Sequence, residues 1–190
     1  GNLDKITNNG NTTCPKPEKD PSVAATVERM LKGAADAEVV FGTPRISGKD
    51  STSMQRSYKS TETGEEVEVK AKSELLISVL SIIPDASTLV TSDFKLPGDL
   101  VYVVGDTRDE SGASEYNLMH GETGKKVPKS KLGELKQRYE AMSDATRLGL
   151  VHSAQYVAKG GLAAAIANSV VGGDLGVDVS VEKIDEGLGR

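Results

Sequence analysis

Val23, Val27, Met30, Ala34 and Phe41 recur at near-helical spacing and are followed by Gly42, so the pattern predicts a helix from Pro21 to Val40 with one apolar stripe. Asp20-Pro21 supplies its start, a capping carboxylate followed by proline at the first helical position. Residues Ser51 to Lys72 are polar, with a turn signal at Thr63-Gly64, and predict a loop or a hairpin of weak strands. Leu75 to Ile83 is a continuous apolar run stopped by Pro84-Asp85, which predicts a buried strand. Leu100 to Val104, framed by Pro97-Gly98-Asp99 and Gly105, predicts a second.

Further on, Glu115 to His120 reads as a short helix, and Leu132, Leu135, Tyr139 and Met142 mark a longer one with Ser130 as its expected N-cap. An alanine-rich helix is expected over Leu162 to Val171, opened by Gly160-Gly161 and closed by Gly172-Gly173. Val177, Val179 and Val181 alternate with polar residues as a half-buried strand would. Residues 1–20 are rich in Asn, Thr, Lys and Pro without apolar periodicity and read as an extended or disordered lead-in. The fold class expected from this order is α+β, with helices packed around one mixed sheet.

Composition narrows the partners more than it changes this picture. The 190 residues are 37% hydrophobic and 27% charged, enough for one sizeable core or for two small ones, and one main domain is expected. A net charge of -5 gives no basic field for a phosphate backbone, and 4% aromatic residues leave few platforms for bases, so no nucleic-acid partner is expected. No apolar run approaches the roughly 20 residues that cross a bilayer, so no membrane partner is expected either. Cys14 is the only cysteine, which excludes an internal disulfide and fits a reducing cytoplasm. It reads as an incidental exposed thiol or as a nucleophile, and no adjacent His favours the second reading.

Three glycine-bearing segments could carry chemistry. Gly42 to Ser51 places two glycines, hydroxyls, a lysine and a carboxylate within ten residues; as a loop it could aim backbone N–H groups, Lys49 and Asp50 at one phosphate, or it could be a solvated turn. It is not a Walker A loop, because Asp50 follows Lys49 where Ser or Thr is required. Gly105 to Glu115 is a charged turn running into a helix start, and could hold an anion on amides near Gly112 and Ser114. Val151 to Leu162 reads as a strand leading into Gly160-Gly161 at a helix N-terminus beside Lys159; anion binding and close helix packing both call for glycine there. His120 and His152 have no second ligand at metal spacing, and neither G-x-S-x-G nor G-x-G-x-x-G occurs.

Taken in order, these segments carry a resemblance. Thr43 to Ser51 resembles the "GTPxISGKDS" stretch of the phosphoribosylformylglycinamidine (FGAM) synthase family, and Asp50 to Met54 is similar to "GKDSMSM" in its long single-chain members. Leu96 to Glu110, with Gly112 to Tyr116, resembles "PGdxlyliGxTxdELGGSEY"; Leu150 to Leu162 resembles "glvxsaHDvSdGGLa", and Gly176 to Val179 the strand after it. The resemblance implies an aminoimidazole ribonucleotide (AIR) synthase C-terminal-like subdomain over residues 67–190. Residues 21–53 would be a helix-loop tail of the nucleotide-type N-terminal subdomain. It also implies ATP or ADP with magnesium in the parent protein, with Ser47, Gly48, Lys49, Asp50, Ser51, Gly112, Ser114, Gly160 and Gly161 as phosphate contacts and Asp50 as the metal ligand. Expected partners are the remainder of the synthase or a second copy, and a glutaminase domain or subunit that supplies ammonia.

The parent would be an ATP-dependent carbon–nitrogen ligase, whereas the chain alone is expected to bind no cofactor and to be inactive. Gln155-Tyr156 stand where the family has His-Asp, Ala158-Lys159 where it has Ser with an acidic residue, and Ala113 where it has glycine. The packing part of the pattern is kept and its charged part is lost, which favours a scaffold half over a catalytic one.

Overall fold

The computed structural model describes residues 5–180, in two compact units that divide between Pro84 and Asp85. Among the described residues the chain is α+β, with its mixed sheet in the first unit. That sheet has three strands. Strand β1 (Ile6–Thr13) runs parallel to β2 (Arg45–Ser51) and antiparallel to β5 (Glu74–Ser81).

The lead-in is therefore the central strand. Asn and Gly are poor strand formers, and the polar run ITNNGNTT has no apolar face to announce it. Pairing on both edges is what holds it extended, since backbone N–H and C=O groups taken from water need partners.

Helix α1 (Pro21–Phe41) follows as the spacing predicts. The Asp20 carboxylate accepts from the Ser22 backbone N–H at 2.9 Å, and Gly42 closes the helix in the left-handed conformation at φ 70°, where a Cβ is unfavourable. Residues 51–72 form the expected hairpin, β3 (Gln55–Lys59) with β4 (Glu66–Lys70), turning through Gly64 at φ 73°. Cys14 joins hairpin to sheet: its N–H donates to Ser51 O at 2.9 Å and its carbonyl accepts from Met54 N at 3.0 Å. That wedge buries the thiol completely, against the expectation of an exposed cysteine.

Strand β5 forms where the apolar run predicts, but it is not buried. Leu76, Val79 and Leu80 are 63–65% exposed, because β5 is a sheet edge with no element covering it within the unit.

The second unit holds α2 (Glu115–Met119), α3 (Leu132–Arg147) and α4 (Gly161–Gly173). Ser114 caps α2 through its hydroxyl. Helix α3 starts after Lys131 rather than Ser130 and has no side-chain cap. Gly172 and Gly173 serve as contact residues as well as an ending: a Cβ on Gly172 would stand 2.9 Å from Asp93 Cβ, and one on Gly173 would run into the Phe94 backbone. Phe94 N donates to Ser169 O at 3.1 Å. Ala165 and Ser169, both buried, complete the small-residue face.

Three expected strands are absent among the described residues of this unit. Leu100 to Val104 is irregular and exposed, Val177 and Val179 are irregular, and Val181 lies outside the described residues. Val151 to Ala158 forms only one bridge, Thr91 to Ser153. Apolar β-branched residues propose a strand, but only a neighbouring strand satisfies its ladder, and none is present here.

Candidate functional site

The segment Arg45 to Ser51 is the edge strand β2 and not the loop its glycines suggested. In a strand successive side chains point to opposite faces, so Lys49 and Asp50 diverge. Ser47, Lys49 and Ser51 share one face, where the Lys49 ammonium touches the Ser51 hydroxyl. The register sets Ser47 beside Asn9, Lys49 beside Asn11 and Ser51 beside Thr13. A cation flanked by hydroxyls and amides results. Pattern reading missed the β1 members, although Thr7, Asn9, Asn11 and Thr13 alternate as a polar face does. Asn11 Oδ1 is buried without a hydrogen-bond partner among the described residues.

Gly48 and Asp50 occupy the opposite face, with Gly10 and Thr12 opposite them. Here Gly48 permits close approach, since a Cβ would lie 3.2 Å from Gly10 O. Burial pushes the Cys14 thiol up, and the carboxylates of Asp50 and Glu18 push it further, so the thiol stays protonated at neutral pH and is a poor nucleophile.

Arg45 anchors the start of β2. Its Nε and Nη2 donate to Glu38 Oε1 at 2.9 and 2.5 Å, and the guanidinium lies over Gly10, where a Cβ would meet Nη1 at 2.9 Å. The last turns of α1 are thus tied to the sheet, and the strand bearing Lys49 and Asp50 is fixed in register.

In the second unit the turn near Gly112 closes on itself. Gly112 N donates to Lys126 O at 2.7 Å, Ala113 N to Thr123 O at 2.6 Å and Ser114 N to Ser111 O at 3.1 Å. Ser114 Oγ accepts from Asn117 N, and Asn117 Nδ2 donates to Ser111 O at 2.6 Å. These amides are engaged within the loop and do not point at an anion site. Ala113 sits at φ 58°, a left-handed conformation that glycine adopts more easily.

Gly160, at φ 83°, caps α4 and packs on it, since a Cβ there would stand 2.6 Å from Ala164 Cβ. Gly161 N is spent on Ala158 O at 3.0 Å. Lys159 pairs with Glu115 at 3.2 Å, Gln155 Nε2 donates to the Tyr156 carbonyl, and His152 Nδ1 meets Asp99 Oδ2 at 2.7 Å.

Asp106 takes Arg108 at 2.8 Å and Arg138 at 3.3 Å; the Arg108 hydrogen bond, then that of Arg138, hold its carboxyl below the ordinary range and tie the 105–110 turn to α3. Among the described residues no group of three or more His, Cys, Asp or Glu could hold a metal ion alone. Magnesium carried by nucleotide phosphates needs only one or two protein carboxylates, and Asp50 is an exposed carboxylate on β2.

This arrangement defines an α+β chain whose first unit presents a polar strand edge and whose second packs α4 through small residues against the Asp93–Phe94 segment. Residues 97–189 match the family model described as AIR synthase related protein, C-terminal domain, a stretch that lies within the second unit. The Gly48–Ser51 motif falls outside the matched residues. No helix among the described residues is long and apolar enough to cross a membrane.

Proposed function

We propose that the chain is a piece of FGAM synthase, the ATP- and glutamine-dependent ligase that converts formylglycinamide ribonucleotide to formylglycinamidine ribonucleotide, and that it contributes an auxiliary magnesium-nucleotide site along the outer edge of β2. The carrying observation is that β2 is an edge strand with Lys49, Ser47 and Ser51 on one face and Asp50 on the other. A phosphate chain lying along that rim meets the ammonium and hydroxyls on one side. On the other side Asp50 would hold the magnesium that screens the phosphate charge.

The domain match over 97–189 supports the wider setting, since this family occurs in purine-biosynthesis enzymes. Gly112, Ser114, Gly160 and Gly161 then act as packing residues of the neighbouring unit. The remainder of the synthase, or a second copy, would cover the exposed apolar surfaces. A glutaminase domain or subunit would supply the ammonia, in the cytoplasm. Isolated chain incubated with ATP, glutamine and formylglycinamide ribonucleotide should show no turnover, and measurable product would overturn the fragment reading.

Calorimetry with magnesium-ADP on the full parent protein tests the site. Lys49→Met should weaken binding about tenfold or more, the size of a lost charge-assisted hydrogen bond, and Asp50→Ala should abolish the magnesium dependence. Failure of the unaltered parent protein to bind would sink the auxiliary-nucleotide role. A second reading, a scaffold of the same fold without ligand binding, is favoured by one observation: the engaged amides of Gly112 to Ser114 and the Lys159–Glu115 pair leave the second unit's glycine loops closed.

A further inference from the structure

An open cleft of about 450 Å³ lies in the second unit, between the segment 87–96 and the end of α3 with the residues after it. Its apolar wall is Leu89, Val90, Leu96 and Val151; Leu89 and Leu96 are more than half exposed. The charged side chains lining it are Lys95 and Arg147, beside His152, with no Asp or Glu among them, although the chain carries 28 acidic residues against 23 Lys and Arg.

The Lys95 ammonium is already engaged by Thr91 Oγ1 at 2.7 Å, Asp93 O at 2.6 Å and Asp93 Oδ1 at 2.8 Å. Arg147 differs: one terminal nitrogen contacts Asp144, and a guanidinium has five N–H donors, so most remain for another acceptor. His152 is held by Asp99 through Nδ1, which orients the ring and leaves Nε2 as its second polar edge.

We infer that this cleft binds a small organic anion with an apolar body, its carboxylate or phosphate head on the Arg147 fork and its body against Leu89, Leu96 and Val151. The planar guanidinium suits either head group through paired N–H donors. The site is separate from the β2 edge and does not depend on the nucleotide reading.

Backbone amide shift mapping on the full chain, with phenyl phosphate and benzoate as probes, tests it. Saturable shifts at residues 87–96 and 146–152 are expected with at least one aryl anion, and the tighter of the two identifies the head group. Arg147→Met should raise the dissociation constant about tenfold, with the thermal transition unchanged. Equal shifts with benzylamine would show a merely apolar groove and overturn the proposal. So would equal shifts with inorganic phosphate, an unchanged constant in Arg147→Met, or no saturation with either aryl anion at about 10 mM, beyond which affinity is negligible.

Discussion

At single residues, Gly173 and Asp93 show how contacts near α4 are held. Gly173 is helical and does not need its conformational freedom; it needs to be small, because the Phe94 backbone occupies the space a Cβ would take. Gly173→Val should therefore cost roughly 2–3 kcal/mol, the range for overpacking a contact that cannot shift, read as a lowered midpoint in thermal circular dichroism. Asp93 is held down to about 2 by hydrogen bonds from Lys95 first and Thr91 second. A carboxylate depressed in the folded state contributes stability above its unfolded value near 4 and loses it as pH falls through the folded value. The 91–95 turn should accordingly loosen between about pH 4 and pH 2. Carboxyl NMR titration should give Asp93 a midpoint near 2, moved toward 4 in Lys95→Met; an ordinary midpoint in the unaltered chain would refute the clamp.

Among elements, helices were legible from sequence and strands were legible only in part. The α1 signals are local: Asp20, Pro21, the apolar spacing and Gly42 all lie within the helix or one residue outside it, and each does in the structure what its chemistry suggests. Gly42→Ala should cost about 1 kcal/mol, the penalty of a Cβ in the left-handed region, visible as reduced helicity or a lowered midpoint. Strands depend on neighbours that the local pattern does not contain. Ile6 to Thr13 reads as part of an extended or disordered lead-in and becomes a central strand, while Leu100 to Val104 looks like a strand and finds no partner. For the same reason Gly42 to Ser51 displayed its residue types but not their geometry: as a loop Lys49 and Asp50 could converge, and as a strand they cannot. Arg45 locks that geometry through Glu38. The pair is partly buried, with side chains 27% and 22% exposed, so Glu38→Gln should cost roughly 1 kcal/mol. It should also weaken magnesium-ADP binding if register at β2 matters to the site, as calorimetry on the same variant would report.

For the whole molecule, the balance of covered and uncovered apolar surface sets the expected behaviour. Cys14 and Ala165 are the buried hydrophobic residues among the described ones, while β5 and the 100–104 segment carry long aliphatic side chains well exposed to water. Apolar burial contributes about 25 cal/mol per Å², so a chain that buries so little gains little against the conformational entropy of ordering. Exposed apolar area on this scale marks surface meant for cover. The edge of β5 is open in a second sense, because an edge strand without charge or proline within its apolar run is unprotected against pairing. The isolated chain should therefore bind a hydrophobic dye and unfold in urea over a broad transition. Its slope should fall at the low end of the roughly 1–3 kcal/mol/M seen for small proteins, since slope follows the surface exposed on unfolding. Val79→Lys, which puts a charge on the open edge, should reduce self-association in sedimentation velocity without changing the helical signal. A steep cooperative transition with no dye binding would mean that the units cover their own apolar surface, and the need for a covering partner would fall with it.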